Sequence, residues 1–157
     1  MSGQASDMVA DHDDRLWPEI RLAVPSDLAP ILAVDHMGTD SDRHEQVETA
    51  IRQGHCWMGL SDGRVVGYLV ADTSFYGHPF VWLVVVAAPF RRLGVATALI
   101  RHVESLFPNR KLFTSTNESN SASRRLMERL GFERSGWIDN LDDADPEIIY
   151  VKRLASE

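Results

Sequence analysis

The chain has 157 residues, 44% of them hydrophobic, and a formal net charge of −7. That suffices for one compact core, and the acid excess speaks against a general nucleic-acid-binding role, which needs a broad basic face. No apolar run approaches the roughly 20 residues that cross a bilayer, so no membrane partner is expected.

Residues 1–18 include a polar, acidic stretch without a signal peptide's apolar segment, and are expected to form a flexible tail before a single domain, 19–157. Glu19 to Val24 alternates and predicts a first strand. Pro25-Ser26-Asp27 offers an N-cap to a helix carrying Leu28, Ile31, Leu32 and Val34, with Pro30 tolerated in its first turn. A second helix is expected from Asp42 to Gln53, stopping at Gly54. Cys56 to Leu60 reads as a strand, turned by Ser61-Asp62-Gly63 into Arg64 to Ala71. Phe80 to Val86 is almost wholly apolar, which predicts a strand covered on both faces. The next helix carries Val95, Ala98, Leu99, His102, Val103 and Leu106 on one face and ends before Pro108. Lys111 to Thr116 is a further strand, Ser121 to Leu130 a helix closed by Gly131. Two last strands, Phe132 to Ile138 and Ile148 to Leu154, flank an acidic loop. Cys56, the single cysteine, reads as a small buried residue; without a disulfide, the natural compartment is a reducing, cytoplasmic one.

Within this order, Val84, Val85 and Val86 lead through Pro89 into Arg91-Arg92-Leu93-Gly94-Val95-Ala96-Thr97. A strand, a basic turn with a glycine and a helix start aim backbone N–H groups and a helix dipole at an anion. Gly94 admits close approach of a ligand, and Arg91 and Arg92 add fixed charge, so the segment reads as a pyrophosphate cradle. Downstream, Asn120-x-x-Ser123-x-x-Leu126-Met127-x-x-Leu130-Gly131-Phe132 forms a second motif.

The spacing Arg91-x-x-Gly94-x-Ala96 resembles the acetyl-CoA signature of the GNAT N-acetyltransferase superfamily, and the second motif resembles that family's helix running from an Asn to Gly-Phe. The resemblance covers roughly residues 20 to 154. It implies an α/β (α+β) fold with a mixed, mostly antiparallel sheet of about seven strands and helices on both faces. It also implies that Val84 and Val86 pair through their backbones with the pantetheine arm of acetyl-CoA. Residues Arg91 to Thr97 (Arg91, Arg92, Leu93, Gly94, Val95, Ala96, Thr97) would hold its pyrophosphate, while Asn120 and Ser123 would contact the cofactor from the second helix.

Family members pass an acetyl group from the thioester directly to an amine in a ternary complex. Such an amine, with a free pKa near about 10.4, must lose a proton before it attacks. Many members carry a tyrosine as proton donor to the thiolate where this chain has Met127, which cannot donate. Ser123 and Tyr150 are the candidate donors, unless the thiolate leaves unassisted. Glu118 is the first candidate base, with Asp72 and His78 as others. The segment Asp139 to Glu147 has five carboxylates and, with Trp137, Trp82, Phe75 and Tyr76, is expected to border the cleft of a cationic amine acceptor, small molecule or peptide. The histidines His12, His36, His44 and His55 show no ligand spacing, so no metal is assigned. The alternative is a non-catalytic acyl-CoA-binding or sensor domain of the same fold. Pairing into a homodimer is plausible for the family.

Overall fold

The computed structural model describes residues 17–156, so most of the expected tail lies outside the described residues. Thirteen-residue α2 (Ser41–Gln53) follows the shorter α1 (Leu28–Ala33). Seven strands, β1 (Glu19–Leu22), β2 (Cys56–Ser61), β3 (Arg64–Phe75), β4 (His78–Val86), β5 (Lys111–Asn117), β6 (Glu133–Asp142) and β7 (Asp145–Arg153), form one sheet in the order β1-β2-β3-β4-β5-β7-β6. Only β4 and β5 run parallel; the remaining neighbours are antiparallel. Short turns join the antiparallel pairs β2–β3, β3–β4 and β6–β7, and the helix α3 (Val95–Ser105) makes the crossover that the parallel pair β4–β5 needs. The remaining helix, α4 (Ser121–Arg129), links β5 to β6.

Two apolar clusters sandwich the sheet. Ile31, Val47 and Ile51 of α1 and α2 pack on Met58, Tyr68 and Val70 on one face. On the other, Val95, Leu99 and Val103 of α3 and Met127 of α4 pack on Leu69, Val81, Leu112 and Ile148. Gly67 is what lets α3 sit so low: a Cβ there would stand 2.8 Å from the Val85 carbonyl oxygen and 2.9 Å from Val95 Cγ1. Cys56 is fully buried in the first cluster, and burial pushes its thiol up to about 12. No helix among the described residues is long and apolar enough to cross a membrane.

Three expectations need correction. Asp27 does not cap α1: Pro25–Asp27 is a 3-10 turn running straight into it, and the Asp27 carboxylate accepts instead from the Val24 amide at 2.8 Å. The acidic loop is a tight hairpin, because β6 extends to Asp142 and β7 begins at Asp145. The apolar β4 is covered only in its first half. Phe80 and Val81 are buried, whereas Trp82 is 41% exposed and Leu83 to Val86 are half-buried.

The chain between the first two helices is tied to the sheet by one buried carboxylate. Asp35 accepts from the Tyr68 hydroxyl on β3, from Arg43 on α2 at 2.5 Å, and from the Met37 amide at 2.8 Å. Burial alone raises the Asp35 carboxyl, but these three donors outweigh it and hold the group below its ordinary value of 3.8. The folded pKa is thus depressed relative to the unfolded one, near about 3.9. This part of the stability is whole above that value and is lost as pH falls through the folded pKa. Replacing Asp35 with Asn is expected to cost about 3 kcal/mol at neutral pH. In urea titrations below about pH 4, the wild type should lose stability with falling pH more steeply than Asp35→Asn.

Candidate active site

The parallel pairing of β4 with β5 spans two rungs, Phe80 with Phe113 and Val81 with Thr114. Beyond them the strands part. The cause is a bulge at Trp82: Val70 pairs with Leu83 but Ala71 pairs with Val81, leaving Trp82 as an extra residue. Val81 packs with the α3 cluster and Leu83 with the α2 cluster, although residues two apart in a regular strand share a face. At the vertex the Thr114 hydroxyl donates to the Val81 carbonyl at 3.0 Å, both residues being buried.

A cleft of about 1370 Å³ opens from this vertex. One wall is β4. The Ala87 amide donates to Val66 of β3 at 2.8 Å, so by strand alternation the main-chain groups of Val84 and Val86 turn to the open edge. Val86 already accepts a long bond, 3.4 Å, from Arg91 Nε. The turn that follows carries Arg92 at φ 63° and Gly94 at φ 89°, both left-handed. Such a conformation is uncommon for arginine and costs on the order of 1–3 kcal/mol. It delivers the N-terminus of α3 to the cleft, with Arg91, Arg92, Gly94, Val95, Ala96 and Thr97 all in the lining.

The opposite wall is α4, whose N-terminus also reaches the cleft. Asn120 caps it, its side-chain oxygen accepting from the Ser123 amide at 3.1 Å. Ser123 and Met127 lie one turn apart on the cleft-lining stripe, flanked by Arg125 and Arg129. Two helix N-termini and four arginines of the cradle and α4 therefore face one space in a chain of charge −7.

The expected site residues divide sharply. Val84, Val86, Arg91, Arg92, Gly94, Val95, Ala96, Thr97, Asn120 and Ser123 line the cleft. Leu93 is 57% exposed and stands outside its lining. Glu118 is exposed on the loop after β5, tied by its amide to Pro146, and does not line the cleft. Tyr150 is in the α3 and α4 core, also outside the lining; burial, then Glu128, pushes its hydroxyl up. Asp72 belongs to a neighbouring 450 Å³ pocket under α2, where it accepts from the Trp82 indole at 2.8 Å. Phe75 and His78 pack on Phe113 away from the cleft, and Trp137 lies under Arg134. Of the expected aromatic border only Trp82 lines the cleft, and of the five acids only Glu147.

The cleft also recruits residues with no motif signal: His36 and Arg43 from the first helical pair, and Ser115 and Asn117 from β5. Arg125 and Arg129 were within reach of sequence, being four apart on the stripe beside Ser123 and Met127. Among the described residues no group of His, Cys, Asp and Glu is arranged to hold a metal.

A strand pair splayed at a bulge, with a basic turn leading into the following helix, is an α/β arrangement of the acetyltransferase type. A family model for the acetyltransferase (GNAT) family matches residues 26–132. A GNAT-family acetyltransferase from Bacillus cereus ATCC 10987 is similar at 34% identity and TM-score 0.80, over 87% of this chain and 96% of that one. The chain belongs to the GNAT acetyltransferase family. Ard1 from Thermoplasma volcanium shares the fold at 19% identity and TM-score 0.73, over 89% and 99% of the two chains. A Bacillus anthracis acetyltransferase solved in complex with acetyl coenzyme A matches at 19% identity and TM-score 0.55, over 62% and 61%. No curated protein matches the chain.

The vertex bond makes a measurable contribution. Thr114→Val keeps shape but strips the buried Val81 carbonyl of its donor, and is expected to cost about 1–3 kcal/mol in urea unfolding.

Proposed function

We propose that this chain is an N-acetyltransferase that moves an acetyl group from acetyl-CoA to a primary amine by direct attack in a ternary complex. The observation that carries the reading is the cleft itself. Its arginine-lined helix starts suit a pyrophosphate, and the open main-chain edge at Val84 and Val86 suits the amide-bearing arm that leads to the thioester. The arm would run along β4 toward the vertex at Val81 and Thr114. The acceptor would enter from the far side of the sheet, past Trp82 and Glu147, and a cationic amine suits an entrance bearing that carboxylate.

Met127 removes the phenol that many relatives place on this helix, and the loss is tolerable. A thiol ionises near about 8.5 whereas an alkylamine ionises near about 10.4, so the thiolate is the better leaving group. Ser123, one turn before Met127, is the cleft-lining hydroxyl of α4 and the candidate to receive that charge.

Calorimetric titration with acetyl-CoA and with CoA tests the reading, followed by thiol-release assays against alkyl diamines, lysine esters and peptide α-amines. Tight binding with turnover of an amine is expected; binding without any turnover would instead favour an acyl-CoA sensor, and absence of binding would remove both. Reversing Arg91 and Arg92 together to Glu should weaken acetyl-CoA about 100-fold or more, since hydrogen bonds to charged groups contribute about 1.5–3 kcal/mol each. The melting temperature should barely move, because both side chains are exposed.

A further inference from the structure

We propose that Glu147, on β7, is the general base that accepts the proton of the acceptor ammonium. This rests on the transferase reading of the cleft. Two carboxylates line the cleft, Glu128 and Glu147. Glu128 is an exposed residue of α4, on the same wall as Arg125 and Arg129. Glu147 pairs across the sheet with Asn117, while the neighbouring rung joins Ile148 to Thr116. Ile148 belongs to the α3 and α4 cluster, so by alternation Glu147 projects to the opposite face. That is the face of Leu83 and α2, away from the arginines of the cradle turn and α4, and the one arginine α2 brings to the cleft, Arg43, is paired with Asp35. Glu147 thus stands on the side of the cleft left to the acceptor once the cofactor occupies the cradle.

Two other carboxylates of the hairpin are engaged. Asp142 accepts from Asn117 Nδ2 at 2.7 Å, and Asp145 accepts from the Ser119 amide at 3.1 Å and hydroxyl at 2.6 Å. These bonds fix the hairpin against the end of β5 and so fix Glu147, whose carboxylate has no such partner among the described residues. Other charged groups bordering the same space are His36 and Arg43 on the α1–α2 side, Arg91 and Arg92 on the turn after β4, and Arg125 and Arg129 beside Glu128 on α4.

The step balances as follows. The ammonium R–NH₃⁺ gives one proton to the Glu147 carboxylate, directly or through one water, and the freed lone pair attacks the thioester carbon. The N–C bond forms, the C–S bond breaks, and the sulfur departs with the bonding pair. The second nitrogen proton leaves as the amide forms and ends on sulfur, while Glu147 returns its proton to solvent. The products are R–NH–acetyl, CoA–SH and H⁺.

The test is Glu147→Gln in the full chain, with acetyl-CoA and whichever amine the wild type turns over fastest. At pH 7 the variant's kcat/KM for the amine should fall about 100-fold or more, with the acetyl-CoA Kd within about twofold. Its rate should then climb about tenfold per pH unit as bulk solvent deprotonates the amine, and approach the wild type at high pH. Asp143→Asn, at the hairpin tip outside the cleft, should match the wild type throughout. A Glu147→Gln variant with wild-type rate and pH profile overturns this assignment alone. A wild type that binds acetyl-CoA yet acetylates no amine overturns the transferase reading, and the base with it.

Discussion

Parallel pairing between β4 and β5 stops after Val81 and Thr114, and the reason lies in β4. The extra residue at Trp82 turns two consecutive side chains, Trp82 and Leu83, to the α2 face and bends the strand out of register with its parallel neighbour. An unpaired strand edge in the middle of a sheet is costly when its polar groups are sealed from water. Here the Thr114 hydroxyl donates to the Val81 carbonyl, and beyond it the strands diverge enough to admit solvent or a ligand. The remaining features of the site depend on this gap. The cradle turn follows β4, α4 follows β5, and the two helix starts face each other because their parent strands have separated.

Charge is then distributed by face. Arg91, Arg92, Arg125 and Arg129, with Glu128, come from the turn and helices on one side of the gap; Glu147, with Arg43 already paired to Asp35, comes from the other. A net charge of −7 would repel a polyphosphate at long range, so the local arginines and the helix dipoles must dominate within about a Debye length of 8 Å. The same acid excess favours approach of an ammonium ion from the other side. One chain can therefore gather an anion and a cation into a single cleft, provided their entrances differ.

The basic turn before α3 was legible in the sequence because its features are local. Backbone N–H groups at a helix start, a glycine with positive φ and two arginines all belong to one short segment, so Arg91 to Thr97 could be placed without knowing the fold. Element order was readable for the same reason, since each helix and strand carries its own period. What failed were inferences about neighbours. An apolar run such as Leu83 to Val86 looks the same whether a helix or a ligand is to cover it. Glu118 and Tyr150 were picked for chemistry, yet whether a side chain enters the cleft depends on strand alternation through a hairpin whose extent the loop-like acids concealed. Alternation sends Tyr150 with Ile148 into the core and leaves Glu147 to the cleft. Arg43 was invisible because nothing in α2 reveals how that helix docks.

That docking has its own logic. Burying the Asp35 carboxylate is expensive, and a well-packed apolar residue could stabilise the same contact as much or more. What the charge adds is direction: three donors from β3, α2 and the intervening loop converge on two oxygens, and each has one good geometry. Arg43 is thereby held at the acceptor side of the cleft rather than swinging in solvent, and its guanidinium lines the cleft with part of its charge already balanced. A lone, unpaired arginine in that place would compete with the ammonium the cleft is proposed to receive. Tethered to Asp35, it shapes the wall while leaving Glu147, the cleft-lining carboxylate on that side of the sheet, to meet an incoming amine.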